Sequence, residues 1–152
     1  MADERTLVIE RTFGASPQDL FDAFRDPVRI VKWWGPEGAT VPSSAFDVRI
    51  GGAWATTMRN RDGAEHHVSG TYLVLDPPRR IAFTWAWRQA DGSRGHETVV
   101  DVVIAPDPAG ARLTLTQKSF ATAEHRDNHR IGWESSFIDL DRYLGRNQPA
   151  DH

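Results

Sequence analysis

The spacing of hydrophobic positions changes along the chain, and each change predicts a different kind of element. Residues 7–13, LVIERTF, set Leu7, Ile9 and Phe13 on one alternating face, which predicts a strand. Ser16-Pro17-Gln18-Asp19 then reads as a helix start: a capping hydroxyl, a proline suited to the first turn, and an acid at the positive end of the dipole. Leu20, Phe21 and Phe24 form the side of this short helix to be buried. Asp26-Pro27 repeats the start signal for a second short helix running to about Trp34, with Gly35-Pro36 as its stop.

From Ser44 the period becomes two. Phe46, Val48 and Ile50 alternate with Asp47 and Arg49 as far as Gly51-Gly52, and a strand follows over 53–60 with Trp54, Thr56 and Met58 on one face. Arg61-Asp62-Gly63-Ala64 predicts a hairpin turn, and 65–75 its returning partner. After Pro77-Pro78, Ile81, Phe83, Trp85 and Trp87 line one face of the next strand, and Asp91-Gly92 marks another turn. Residues 97–105 and 111–118 make a last hairpin, with Val100, Val102 and Ile104 on one strand and Leu113 and Leu115 on the other. The final stretch, 122–144, carries Trp133, Phe137, Leu140 and Leu144 at spacings of four, three and four, one apolar stripe on a long helix. One strand, two short helices, about six strands and one long helix make an α+β architecture. Its twisted, largely antiparallel sheet is covered by the C-terminal helix.

At 152 residues the chain has the length of one domain, taken as 1–145 with a flexible tail at 146–152, and it shows no repeat or linker. With 18 Lys and Arg against 21 Asp and Glu, the net charge of -3 supplies no attraction to nucleic acid or to an anionic membrane. The start, MADERTLVIE, lacks the apolar core of a signal peptide, and no apolar run is long enough to span a bilayer, so a cytoplasmic location is expected. The absence of cysteine excludes disulfides, thiolate metal sites and a Cys nucleophile.

Six tryptophans change the picture more than any charge does. They supply rigid walls and indole donors, which suits a lined cavity for an apolar or aromatic ligand, while each taken singly also suits plain core. Gly132, inside the long helix, costs about 1 kcal/mol relative to alanine. That cost points either to space for a ligand or to close packing of the helix on a strand. His125 and His129 stand four apart, the spacing of a metal-gripping pair, but without the glutamate of the zinc-protease motif, and no metal site is expected. His66 and His67 must face opposite sides of their strand, so at most one enters a cavity; His67 shares parity with Thr71. Nucleophile-elbow, dinucleotide and phosphate-loop motifs are all absent from the sequence.

The words ERTFGASPQDLFDAFRDPVRIVKWWGPEG, VRIGGAW, GTYLVLDPPRRIAFTW and HRIGWESSFIDLDRYL, in this order of elements, resemble the START-like or SRPBCC superfamily. The nearer resemblance is to the branch of homologues of the activator of the ninety-kilodalton heat-shock protein ATPase, whose bacterial members are often labelled polyketide cyclase-like. It covers nearly the whole chain and implies the helix-grip fold: a curved antiparallel sheet wrapped around a long C-terminal helix, order β-α-α-β(6)-α, with a cavity between. It implies no particular reaction, since lipid carriers, hormone receptors, cyclases and chaperone regulators share the scaffold. The resulting expectation is binding of a small apolar or aromatic molecule, without a cofactor. The expected contacts are Trp33, Trp34, Trp54, Met58, His67, Thr71, Trp85, Trp87, Trp133 and Phe137. One rival is an enzyme of the polyketide cyclase or hydrolase type with His67, Thr71 or Glu65 beside the ligand. Another is regulation of a chaperone ATPase. The eukaryotic activator has a further N-terminal domain and this sequence shows no acidic or basic docking segment, so little stimulation of such a partner is expected.

Overall fold

The computed structural model describes residues 5–35 and 37–146; Pro36, expected to stop the second helix, and the tail from 147 onward lie outside the described residues. Strand β1 (Leu7–Phe13) is followed by helix α1 (Pro17–Arg25), where the Ser16 hydroxyl accepts from the Asp19 amide at 3.1 Å. Asp26 closes α1 through its own amide and opens α2 (Pro27–Ile30) by accepting from the Val28 amide at 2.9 Å. Helix α2 is thus one turn long and ends before Trp34. Both Trp33 and Trp34 are buried, and adjacent side chains on a surface helix diverge too far to share one buried stripe.

Six further strands follow: β2 (Thr40–Phe46), β3 (Ala53–Arg59), β4 (Glu65–Asp76), β5 (Arg80–Trp87), β6 (Thr98–Asp107) and β7 (Gly110–Lys118). They form one antiparallel sheet in the order β1-β7-β6-β5-β4-β3-β2. Strand β2 begins at Thr40 and ends at Phe46, whereas alternation placed it over Ser44 to Ile50. It is an edge strand exposed along most of its length, so it carries no apolar period. Residues 47–52 instead fold back as a loop with Ile50 exposed, and a Cβ on Gly52 would lie 2.0 Å from the Asp47 carbonyl oxygen.

Helix α3 (Ala123–Arg146) starts on Thr122, whose hydroxyl accepts from the His125 amide at 3.1 Å. Its stripe of Trp133, Phe137, Leu140 and Leu144 is at most 5% exposed. Each such side chain is worth roughly 1.5–3 kcal/mol when buried. The helix packs closest to β1, where Arg11 meets Glu134 at 3.1 Å. Aromatic rings lie beneath it, with Phe137 edge-on to Phe13 of β1 and Trp133 against Trp85 of β5. Among the described residues no helix is long and apolar enough to cross a membrane.

Candidate ligand-binding site

The tryptophans form one network. Trp34 is its hub, with ring centroids 5.8 Å from Trp54, 5.4 Å from Trp85 and 5.8 Å from Trp133. An indole N–H is a donor only, so each buried one needs an acceptor. Trp33 donates to the Ala23 carbonyl at 3.0 Å, and Trp34 to the Thr56 hydroxyl at 2.9 Å. Trp133 donates to Gln117 Oε1 at 2.8 Å, and Gln117 Nε2 donates onward to the Thr98 hydroxyl at 2.8 Å. Gln117 is fully buried. Trp54 and Trp85 have no partner for Nε1 among the described residues, a concentration of unmet donors within one aromatic cluster.

Between this cluster, β3–β5 and α3 lies an open pocket of about 600 Å³. Its inner end is apolar: Trp34, Met58, Trp85 and Trp133 line it and are each at most 5% exposed. Gly35, Gly132 and Ser136 complete the inner wall, and Trp87 stands half-buried beside it. Its outer end is polar, with His66 from β4, Asn60 from the hairpin turn, and His125 and Asn128 from the first turns of α3. At Gly132 a Cβ would meet nothing within 4 Å, so this glycine leaves open space and is not required by close packing. Gly70 is the opposite case: a Cβ there would lie 1.8 Å from the Thr84 carbonyl oxygen and 2.6 Å from Trp54 Nε1, so the strand must be bare for the indole to lie on it.

His129 is fixed on both ring nitrogens. Trp87 Nε1 donates to His129 Nε2 at 3.0 Å, so Nε2 carries no proton, and Nδ1–H donates to the His125 carbonyl at 2.9 Å. Burial, followed by the nearby His125, pushes its pKa down, against an opposing pull from the carbonyl, and the ring is held neutral. With both nitrogens committed it cannot share a metal with His125 in this arrangement. Among the described residues no group of three His, Cys, Asp or Glu is arranged to hold a metal ion.

The loop after α2 is clamped to α3. Ser135 Oγ accepts from the Glu37 amide at 2.7 Å, Ser136 Oγ donates to the Gly35 carbonyl, and Arg142 reaches the Glu37 carboxylate at 2.7 Å. Those bonds hold Trp34 and Gly35 against the helix.

Of the residues expected at a site, Trp34, Met58, Trp85, Trp87 and Trp133 border this pocket. Trp33, Trp54 and Phe137 do not: Trp33 packs on Phe24 and Phe137, Phe137 on Phe13, and Trp54 lies behind Trp34 and Trp85 against Phe83. His67 and Thr71 lie on the outer face of the sheet, as does Glu65. The register pairs Met58 with His66 and Trp54 with Gly70, which puts the even residues of β4 inward, as buried Val68 and Tyr72 confirm. His67 Nδ1 shares a hydrogen bond with Thr57 Oγ1 at 2.9 Å there, and Thr71 uses its amide to reach the Thr84 hydroxyl at 2.8 Å. Asn60, His66, Asn128 and Gln117 were missed. His66 and Gln117 occupy inward strand parity, a signal present in the sequence, and Asn128 continues the inward face of α3.

A family model described as Activator of Hsp90 ATPase homolog 1-like protein matches residues 14–145. No curated protein matches the chain. Solved structures similar to it include the AHSA1 protein of Silicibacter pomeroyi, 34% identical, aligned over 94% of this chain and 99% of that one with a TM-score of 0.86. A Chromobacterium violaceum protein is 28% identical over 92% of this chain and 97% of its own, with a TM-score of 0.82. A Nitrosomonas europaea protein, 20% identical over 97% and 99%, shares the fold at a TM-score of 0.81.

Proposed function

Because the chain belongs to the family of Activator of Hsp90 ATPase homolog 1-like proteins, a family name that by itself assigns no chemistry to the pocket, we propose a function from the pocket's own geometry: reversible binding of a small, largely apolar or aromatic molecule between the sheet and α3. The observation that carries this reading is Gly132. A residue that weakens its helix faces open space, in the middle of a wall otherwise built from tryptophan and methionine. A volume of about 600 Å³ falls within the range for sites that enclose a small organic ligand.

The polar groups nearest the apolar end favour binding over catalysis. Ser136 spends its proton on the Gly35 carbonyl and His129 is bonded on both nitrogens, so neither forms a nucleophile and base pair. The test is mass spectrometry of protein purified under native conditions, together with titration by aromatic and acyl ligands followed by tryptophan emission and thermal melting. Saturable quenching and a raised melting temperature with the same ligand are expected. A broad panel giving neither signal would mean that the tryptophans only fill core.

A further inference from the structure

The two ends of the pocket are chemically unlike. Inside are aromatic and thioether surfaces; at the mouth are Asn60, His66, His125 and Asn128. None of these four side chains hydrogen-bonds another described residue, whereas deeper in Trp34, Trp133, Ser136 and His129 are satisfied within the protein and Trp85 Nε1 alone of the inner indoles is left without an acceptor among the described residues. The mouth therefore holds uncommitted donors: two amide groups, and two imidazoles that each donate from at least one ring nitrogen.

Charge narrows the ligand further. Neither Asp nor Glu lines the pocket, so no carboxylate faces an anion held in it. Beside His66, Glu65 is ion-paired with Arg59 at 2.6 Å, Met58 is its neighbour on β3, and the Trp87 ring of β5 stands edge-on 6.2 Å away. Beside His125 on α3, Glu124 precedes it, Arg126 pairs with Asp127 at 2.9 Å, and His129 one turn on is neutral. The lining also lacks the arginines and lysines that bind a doubly charged phosphate, while amides and imidazoles suit a singly charged planar head.

We propose that the ligand is an amphipathic carboxylic acid. Its flat or acyl body lies on Trp34, Trp85 and Trp133, and its carboxylate lies at the mouth between His66 and His125. This rests on the pocket being the ligand site.

The test uses the full chain with naphthylacetic acid and its neutral isostere naphthylacetamide, measured by isothermal titration calorimetry in one neutral buffer. Both compounds bind if the pocket reading holds. The acid then binds about tenfold more tightly than the amide. The acid-to-amide ratio falls toward unity in the His66→Gln/His125→Gln variant, whose folding is checked by its melting curve. Equal, saturable binding of acid and amide overturns the head-group assignment and leaves the pocket standing. Saturable binding of neither overturns both. An acid preference that survives in the double variant also overturns it, since the histidines would then not supply the attraction.

Discussion

Replacing Gly132 separates stability from binding, because one position governs both. A Cβ there meets nothing within 4 Å, so Gly132→Ala introduces no clash. It removes the cost of glycine inside a helix, about 1 kcal/mol. For a domain of this size that raises the melting temperature by roughly 2–4 °C. Gly132→Leu keeps most of that gain, since leucine is also a good helix former, but sends an isobutyl group into the space in front of Trp85 and Trp133. A ligand present at about 100 times its dissociation constant stabilises the wild type by about 2.7 kcal/mol. The corresponding shift of roughly 5–10 °C should be largely lost in the leucine variant. Scanning calorimetry of the three proteins, with and without a naphthyl ligand, reads both effects at once. An alanine variant that melted below wild type would show that the helix needs a bare backbone there. A leucine variant with the full ligand shift would remove Gly132 from the binding site.

Gln117→Leu should destabilise the fold by about 1–3 kcal/mol, because it leaves the buried Trp133 Nε1 without its acceptor; chemical denaturation measures it, and a neutral result would mean that the indole finds another partner. The His129 pKa is lowered on folding, so between that value and the ordinary imidazole value of about 6.5 the unfolded chain binds more protons. Stability from this residue is therefore complete above that window and is lost as pH falls through it. Melting temperatures taken from about pH 8 down to about pH 5 should decline less steeply in His129→Gln than in wild type. Identical slopes would refute the assignment.

The sheet-and-helix layout was legible because its signals are local: a stripe at spacings of four, three and four, and hairpin turns rich in Asp and Gly. Strand β2 was misplaced because an exposed edge strand such as TVPSSAF has no buried face to impose a period, while the DVRI that follows it mimics one. The inward face of β4 required register, a property of two strands together. Pairing Arg59 with Glu65 across the turn makes His66 the neighbour of Met58, whereas reading β4 alone favoured His67 with Thr71, the outward face. Tryptophans at the pocket and tryptophans in the core look alike in sequence, since both are buried. What divides Trp85 from Trp33 is whether a void or Phe24 lies beside the ring. The same limit applied to Gly132, where only its surroundings in space could choose between a gap and a close approach.

The clamp between the Gly35–Glu37 loop and α3 makes the pocket stiff at one end and compliant at the other. Ser135, Ser136 and Arg142 bolt the apolar end to the helix, so Trp34 cannot retreat from Trp133 without breaking several bonds together. The opposite end is bordered by a hairpin turn, the start of β4 and the opening turns of α3, where the side chains of Asn60, His66, His125 and Asn128 carry no hydrogen bond to another described residue. Such a receptacle gauges its guest by how far the hydrophobic body reaches into the closed end and is lenient about what trails from the opening. A ligand series varied at its buried tip should therefore show sharp cut-offs in affinity, and one varied at its outer end a gradual slope.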